Sequence, residues 1–228
     1  MHEDSDMRKL SAKWVPKCLN ADQKRQLCQS SEQLLKFFGR DPNDFLSRLM
    51  TADETWLYHY DPETNNNQWS DGMAAHPAPK KFRVQKPAGK FLASIFWDQD
   101  SFLFIDYLPK GQTINSECYS SLLVQMNDIL KESRRGKFTK GVLFLHDNAS
   151  AHRALEIQKK MAYMGFQCLD QTPYSPDRAP SDYHLFPGLK EQLKGHHFSP
   201  DAEVIAAAET RLDGQPPEFF GGGLQKLE

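Results

Sequence analysis

The stretch VLFLHDNASAH, residues 142–152, joins a short apolar run to three polar residues, His146, Asp147 and Asn148. The apolar run is typical of a buried strand. Such a strand usually ends in Gly, Pro or Ser turn residues, not in a histidine and a carboxylate. In sheets with parallel strands, binding and catalytic groups collect where the strands end. The stretch therefore predicts a buried strand with functional residues at its carboxyl end.

The sequence on either side of this strand predicts an α/β fold, because periods typical of strands and of helices alternate along it. The predicted elements, in order, are a helix over 21–38, strands over 48–58, 91–97 and 102–107, a helix over 116–130, a strand over 141–145, a helix over 151–164, a strand over 166–169, a helix after Ser181 and a helix over 202–212. The first strand can pair with the hairpin strand on one side and lie parallel to 141–145 on the other. We expect a mixed five-stranded sheet flanked by helices.

Local signals fix several expected boundaries. Asn20 and Ser116 are suitable N-caps for the helices that follow them. Asp41-Pro42-Asn43-Asp44 predicts a turn, and Gly221-Gly222-Gly223 opposes a helix. Pro187 should kink its helix or delay the start of that helix. Trp56, Tyr58 and Tyr60, which alternate along the first strand, are interpreted as core and packing residues.

Residues 1–20 are predicted to be an interdomain linker and residues 21–228 one catalytic domain. Residues 61–90 form a long inserted loop, because Pro and Asn residues oppose regular structure there. A loop of that length is usually functional or mobile.

The composition narrows the class of protein. With 39% hydrophobic and 25% charged residues, the 228-residue chain can bury a core. Neither an apolar span of roughly 18 residues nor a signal peptide is present, so no membrane partner is expected. The four cysteines are scattered without a Cys-x-x-Cys pair, which argues against zinc and against disulfides.

The net charge of −2 argues weakly against nucleic acid, but the basic residues are clustered. Solvated loops are the alternative reading of each cluster. The candidates for DNA contact are Lys80, Lys81, Arg83 and Lys86 in one cluster and Arg134, Arg135 and Lys137 in the other.

Three aspartates are candidates for one site. Asp53 lies in an apolar strand, where a carboxylate is costly unless paired or bound to metal. Asp147 ends a strand that can be the parallel neighbour, and Asp182 opens a helix at the same edge. Oxygen ligands without cysteine favour Mg²⁺, with Mn²⁺ as substitute, and two such ions about 3.5–4 Å apart suit phosphoryl transfer. Aspartates are also common as caps and turn residues, so a structural role remains open.

The motifs TADETWLYHYDPET, VLFLHDNASAH and PYSPDRAPSDYHLFPGLK, with the spacing between Asp147 and Asp182, closely resemble the catalytic domain of mariner-family transposases. The resemblance implies an RNase H-like fold and Asp53, Asp147 and Asp182 as catalytic, metal-binding residues. It also implies cleavage of DNA at transposon inverted-repeat ends and strand transfer into TA target sites. A homodimer of the full-length protein and action in the nucleus would accompany that activity.

Other positions take their expected roles from the same resemblance. Trp14-Val15-Pro16 matches the family's linker motif and is a candidate subunit contact, and residues 61–90 resemble the loop that reaches the partner subunit. Residues 1–20 contain no counterpart of the family's N-terminal helix-turn-helix domains. His146, Asn148 and His152 are expected to support the aspartates, and capping is the alternative.

Two other functions are alternatives to a DNA-cleaving transposase. A domesticated or decayed relative would bind DNA or a partner without cleaving it; the presence of all three aspartates disfavours loss of activity. A glycosidase with paired carboxylates is disfavoured because no feature of the sequence indicates a sugar cleft.

Overall fold

The computed structural model describes residues 20–60, 89–108, 111–147, 149–170, 176–199 and 201–227. The strands are β1 Leu49–Tyr58, β2 Lys90–Asp98, β3 Phe102–Leu108, β4 Leu143–His146 and β5 Gln167–Asp170. The helices are α1 Ala21–Arg40, α2 Pro42–Arg48, α3 Ser116–Ser133, α4 Arg135–Lys140, α5 Leu155–Tyr163, α6 Phe186–Leu193, α7 Asp201–Asp213 and α8 Pro217–Gln225. A single 3₁₀ turn, Pro176–Arg178, and a π-helical turn, Ser181–Leu185, precede α6.

The five strands form one mixed sheet in the order β3-β2-β1-β4-β5. β1 pairs antiparallel with β2, and β2 pairs antiparallel with β3. β4 lies parallel to both β1 and β5. The predicted mixed five-stranded sheet is confirmed, and so is the parallel pairing of the first strand with the strand that leads to Asp147.

Alternate residues of each strand face two separate cores, as the pleat requires. Leu49 and Leu57 of β1 pack with α1, α2, α6, α7 and α8, and we call this side of the sheet the α6 face. Met50 and Ala52 of β1 pack with α3 and α5, and we call this side the α3 face. By the same alternation, Asp53 lies toward the α6 face and Glu54 toward the α3 face.

Several predicted boundaries are confirmed. Asn20 caps α1, where its side chain accepts from the backbone N–H of Gln23 while the Gln23 side chain accepts from the N–H of Asn20. This reciprocal arrangement is a capping box. Helix α3 begins at Ser116, one residue earlier than the predicted cap allows, because Asn115 and not Ser116 supplies the cap. Helix α6 begins at Phe186 with Pro187 in its first turn, so the proline delays the helix rather than kinking it.

Two segments predicted to be irregular are helical. The predicted turn at 41–44 opens α2, because Asp41 caps the helix and Pro42 occupies its first position. The three glycines at 221–223 lie inside α8. A Cβ on Gly223 would overlap the His184 ring, so glycine permits a close contact that offsets its poor helix propensity.

The helix predicted to begin at Ala151 begins four residues later, at Leu155. The backbone N–H groups of His152 and Arg153 both bond to the carbonyl of Ala149, which makes a separate turn between β4 and α5. This turn folds His152 back toward the end of β4.

Trp56 and Tyr58, predicted to be core residues, are 40% and 39% exposed. β4 ends at His146, opposite Ala52, so the far half of β1 extends past β4. Tyr60 does pack, stacking on His197 with ring centroids 3.7 Å apart.

Part of the sequence-based prediction lies outside the described residues. This applies to Trp14, Val15 and Pro16 of the predicted linker and to residues 61–88 of the predicted loop, with Lys80, Lys81, Arg83 and Lys86. The domain boundaries and the roles of these residues stay predictions. Among the described helices, none is long and apolar enough to cross a membrane.

Candidate active site

The point where the parallel pairing of β1 with β4 ends brings two of the predicted aspartates side by side. Ala52 and His146 are the last paired residues of these parallel strands. Asp53 and Asp147 each occupy the next position, so they lie beside one another at the edge of the pairing. The backbone N–H of Glu54 donates to Oδ1 of Asp53 at 2.8 Å.

Asp182 lies in the π-helical turn that precedes α6, and the residues next to it are anchored on two sides. The indole N–H of Trp97 on β2 donates to Oγ of Ser181 at 2.9 Å in a buried hydrogen bond. The Tyr183 hydroxyl donates to the Gly223 carbonyl of α8 at 2.7 Å. Isolated π turns are frequent at functional sites, and here the turn presents an exposed carboxylate beside the sheet edge.

The charges of these three aspartates are coupled. Burial raises the pKa of Asp53 well above its ordinary value, and the charges of Asp182, Glu54 and Asp147 raise it further. Partial desolvation raises the pKa of Asp182, Lys190 opposes the rise and Asp147 adds to it. The sites therefore repel one another when ionised, which is the situation that a bound cation relieves.

Asp147 differs from the other two because it has its own cationic partner. Its Oδ1 accepts from the Ala149 N–H at 3.0 Å and lies 2.6 Å from Nδ1 of His152. Burial raises the pKa of Asp147, but the hydrogen bonds and the histidine charge outweigh burial, so the pKa lies below its ordinary value.

His152 is buried and has a carboxylate at each ring nitrogen. Its Nε2 lies 3.5 Å from Oε1 of Glu54, opposite the contact with Asp147. Burial lowers the pKa of His152, but the hydrogen bonds to Asp147 and Glu54 overcome this and raise it to about 9. His152 is therefore an imidazolium at neutral pH.

Aromatic rings enclose the histidines on the α3 face. Tyr119 of α3 stacks on His152, with ring centroids 3.8 Å apart. His146 stacks on Phe144, at 5.1 Å and nearly parallel. Burial and the charge of His152 lower the pKa of His146 to about 4, so this histidine is neutral. Asn148 lies outside the described residues.

Comparison with known proteins finds relatives among the transposases. A family described as Transposase (partial DDE domain) matches residues 59–140. The Drosophila mauritiana protein Mariner Mos1 transposase is 30% identical over 217 residues, which are 94% of this chain and 61% of that protein. The crystal structure of the Mos1 mariner catalytic domain superposes with a TM-score of 0.75 at 29% identity, covering 94% of this chain and 92% of that one. The chain is therefore similar over almost its whole length to the catalytic domain of a mariner transposase.

Two further relatives bear on function. The structure titled Mos1 mariner paired end complex with Mn has a TM-score of 0.81 and 29% identity, over 98% of this chain and 64% of that one. The human protein Histone-lysine N-methyltransferase SETMAR is 32% identical over 219 residues, which are 94% of this chain and 31% of that protein. This chain thus spans under two thirds of the length of either relative, and it shares the RNase H-like fold of the Mos1 catalytic domain.

The donor atoms at the candidate active site suit a hard divalent cation. Asp53, Asp147 and Asp182 offer carboxylate oxygens, which Mg²⁺ and Mn²⁺ prefer. Their mutual repulsion gives a cation a favourable place. A second cluster, Glu54, Asp147 and His152, has ligand atoms within 4.8 Å of one another. Both ring nitrogens of His152 already contact carboxylates, so the three aspartates fit the cation better than this second cluster.

Glu54 and Tyr119 were not singled out from the sequence. Glu54 follows Asp53 in an apolar strand, so the period of two already places it on the opposite face. Its position directly after Asp53 is the signal that the sequence offers. Nothing local indicates that Tyr119 would stack on a histidine from a later turn.

The second basic cluster is not a uniform DNA surface. Lys137 is buried, its ammonium lies 2.8 Å from Asp98, and it donates to the Leu49 carbonyl. Arg134 is half-buried and contacts the same Asp98 carboxylate. The DNA-contact prediction for Lys137 is therefore wrong, because its charge is used inside the fold, and Arg134 is also held by the fold. Arg135 is exposed.

Proposed function

We propose that the chain is the catalytic domain of a cut-and-paste DNA transposase. It would cleave DNA strands at transposon ends and transfer the freed 3′-hydroxyl into target DNA at TA dinucleotides, using Mg²⁺ or Mn²⁺. The observation that carries the proposal is the adjacency of Asp53 and Asp147 where the parallel pairing of β1 with β4 ends, with Asp182 electrostatically coupled to both.

Each residue has a defined task in this proposal. Asp53, Asp147 and Asp182 would hold the divalent cations, two per site, which supply charge stabilisation for the attacking and leaving oxygens of a phosphodiester. His152 and the Ala149 N–H fix one oxygen of Asp147. Trp97 holds Ser181 and so fixes the turn that carries Asp182. No side chain needs to form a covalent bond with DNA.

An exposed aromatic and basic surface farther along β1, on the α3 face, supports a DNA substrate. Trp56 and Tyr58 lie on β1 beyond Glu54, and the Lys90 ammonium lies 4.0 Å from the centre of the Trp56 ring. Aromatic side chains with neighbouring cations suit unpaired bases and the phosphate backbone. Arg135 and the basic residues at 80–86 remain candidates for contacts with more distant phosphates.

The proposed partners are transposon inverted-repeat ends, TA target DNA and a second copy in the full-length protein. Trp14, Val15 and Pro16 are proposed subunit contacts. Relatives that act on DNA support a nuclear site of action.

A metal-dependent nicking assay tests the proposal. The wild-type chain should nick supercoiled plasmid in Mn²⁺, and chelation should abolish nicking. Asp147→Ala should lose activity, while Asp128→Ala, which removes an exposed α3 carboxylate, should retain it. Equal nicking by wild type and Asp147→Ala would refute the proposal. Sequenced joints between a 3′-hydroxyl oligonucleotide and plasmid would test the preference for TA.

The alternative is a domesticated domain that binds DNA or a partner without cutting. The relative named as a histone-lysine methyltransferase favours it, because there a similar segment occurs in a protein named for another activity. DNA binding with no nicking in Mn²⁺ or Mg²⁺ would support this alternative.

A further inference from the structure

His152 connects two carboxylates that come from different strands. Its Nδ1 lies 2.6 Å from Oδ1 of Asp147, which follows β4, and its Nε2 lies 3.5 Å from Oε1 of Glu54, which is on β1. The three residues therefore form a chain from β1 through an imidazole to the end of β4. We call this set the His152 brace.

The brace limits which oxygen of Asp147 can serve a ligand. Oδ1 accepts from both the Ala149 N–H, at 3.0 Å, and Nδ1 of His152. A carboxylate oxygen offers about two lone-pair positions, so these donors fill Oδ1. Oδ2 is the oxygen left for a cation. Fixing Oδ1 also fixes the rotation of the carboxylate and thus the direction of Oδ2.

Three contacts fix the His152 ring itself. Asp147 and Glu54 hold its two nitrogens, and the Tyr119 ring covers its face with centroids 3.8 Å apart and planes 29° apart. The His152 side chain is 3% exposed and that of Glu54 is 14% exposed. Glu54 therefore faces the interior of the protein, and packing alone does not require a carboxylate at this position.

We propose that Glu54 is a positioning residue for Asp147 and acts through His152. This inference rests on the proposed function in that Asp147 is taken as a metal ligand. Residues that orient metal ligands commonly change metal affinity when they are substituted. Glu54 orients the imidazole, the imidazole orients Asp147, and Oδ2 of Asp147 faces the cation.

A direct role for Glu54 as a ligand is the competing explanation, since its oxygen lies within 4.8 Å of the ligand atoms of Asp147 and His152. The two explanations differ in additivity. If Glu54 acts only through His152, Glu54→Gln should have no effect once His152 is already replaced by Gln. If Glu54 binds the cation directly, the two substitutions should weaken binding independently.

The first measurement examines the metal-free protein by NMR of its ¹⁵N-labelled histidines in EDTA. The Nδ1 proton of His152 should be protected from solvent exchange in the wild type, lose its protection in Asp147→Asn and shift in Glu54→Gln. Glu156→Gln, an exposed change of the same kind on α5, should leave it unmoved. An unprotected wild-type proton, or one unaffected by Glu54→Gln, would overturn the proposal.

The second measurement is Mn²⁺ binding by isothermal titration calorimetry. Glu54→Gln should weaken binding about 10-fold, His152→Gln at least as much, and the double variant no more than His152→Gln alone. Glu156→Gln should bind as the wild type does. Multiplying effects in the double variant would overturn the proposal in favour of direct ligation.

The two measurements separate this inference from the proposed function. No Mn²⁺ binding by the wild type would remove the proposed function and, with it, the role of the brace in metal binding, even if the NMR contacts are present. Normal Mn²⁺ binding and nicking by Glu54→Gln would overturn the positioning role alone. If His152→Gln does not fold, the NMR result and the affinity of Glu54→Gln still decide.

Discussion

Inward-facing carboxylates lie at two places along β1, one beside its start and one at its middle, and their charges are compensated in opposite ways. Near the start of β1, Asp98 of β2 has no exposed surface, accepts from the N–H groups of Asp100 and Ser101, and lies 2.8 Å from the Lys137 ammonium. Farther along β1, Asp53 lies among other carboxylates whose charges raise its pKa.

This difference separates a structural carboxylate from a functional one. Asp98 is satisfied by groups of its own chain, so its charge needs nothing from outside. Of the three aspartates only Asp147 contacts the His152 imidazolium, so Asp53 and Asp182 remain repelled. Groups with perturbed pKa values of this kind mark functional sites. The three aspartates, whose charges the protein does not neutralise, are therefore the place where a bound cation would be most favourable.

The largest expected effect is a loss of stability on breaking the buried ion pair of Asp98 with Lys137. Lys137→Ala would leave Asp98 buried without its closest cation, which should cost about 3–5 kcal/mol of unfolding free energy. Urea denaturation measures this loss. Lys140→Ala removes an exposed lysine from the same helix and should change stability by less than about 1 kcal/mol. Equal small effects would mean that Asp98 is not held by Lys137.

Metal binding should stabilise the protein through the three aspartates and not through Asp98. If Mn²⁺ binds the three aspartates, a concentration near 100 times its Kd should stabilise the protein by about 2.7 kcal/mol, read as a rise in melting temperature. Asp53→Asn should remove most of this rise. Arg134→Gln, at the Asp98 end, should keep it. A rise that survives Asp53→Asn would place the cation elsewhere.

The His152 brace predicts a pH dependence for the metal-free protein. Because the folded-state pKa of His152 is raised to about 9 from 6.5, its contribution is complete below pH 6.5 and is lost as pH rises through about 9. Unfolding free energy in EDTA should fall by about 3 kcal/mol over that window. His152→Gln should flatten the curve, and an unchanged slope in this variant would contradict the assignment.

The smallest effect is a gain of stability. Asp53→Asn removes a charge that burial and neighbouring carboxylates destabilise, so the metal-free protein should become more stable by about 1 kcal/mol. Because the folded-state pKa of Asp53 is raised, the gain should shrink as pH falls through that pKa. Thermal melts at neutral and acidic pH measure it. A loss of stability would indicate that Asp53 has a partner that the charge pattern does not reveal.

The sheet and the neighbouring aspartates could be predicted because they depend on local periodicity. An apolar strand containing Asp53 and a second strand ending at Asp147 need only be parallel neighbours to bring these carboxylates together. The mariner motifs then added Asp182, whose position depends on a π turn that no sequence pattern indicated. The assignment of all three as cation ligands stays a prediction.

What could not be predicted depends on contacts between distant residues. Lys137 resembled its basic neighbours because the sequence does not show that its ammonium reaches Asp98. Trp56 and Tyr58 had the alternation of packed residues, but β4 is too short to cover them. Glu54 could have been recognised from strand alternation, whereas its contact with His152 required the turn that delays α5.

The close contact of Gly223 with His184 links α8 mechanically to the third aspartate. The same helix accepts from the Tyr183 hydroxyl through the Gly223 carbonyl and from the His184 ring through the Phe219 carbonyl. Both donors immediately follow Asp182 in the chain. A displacement of α8 would therefore be transmitted within one or two residues to that carboxylate, so a substitution far from the strand ends can still misalign the site.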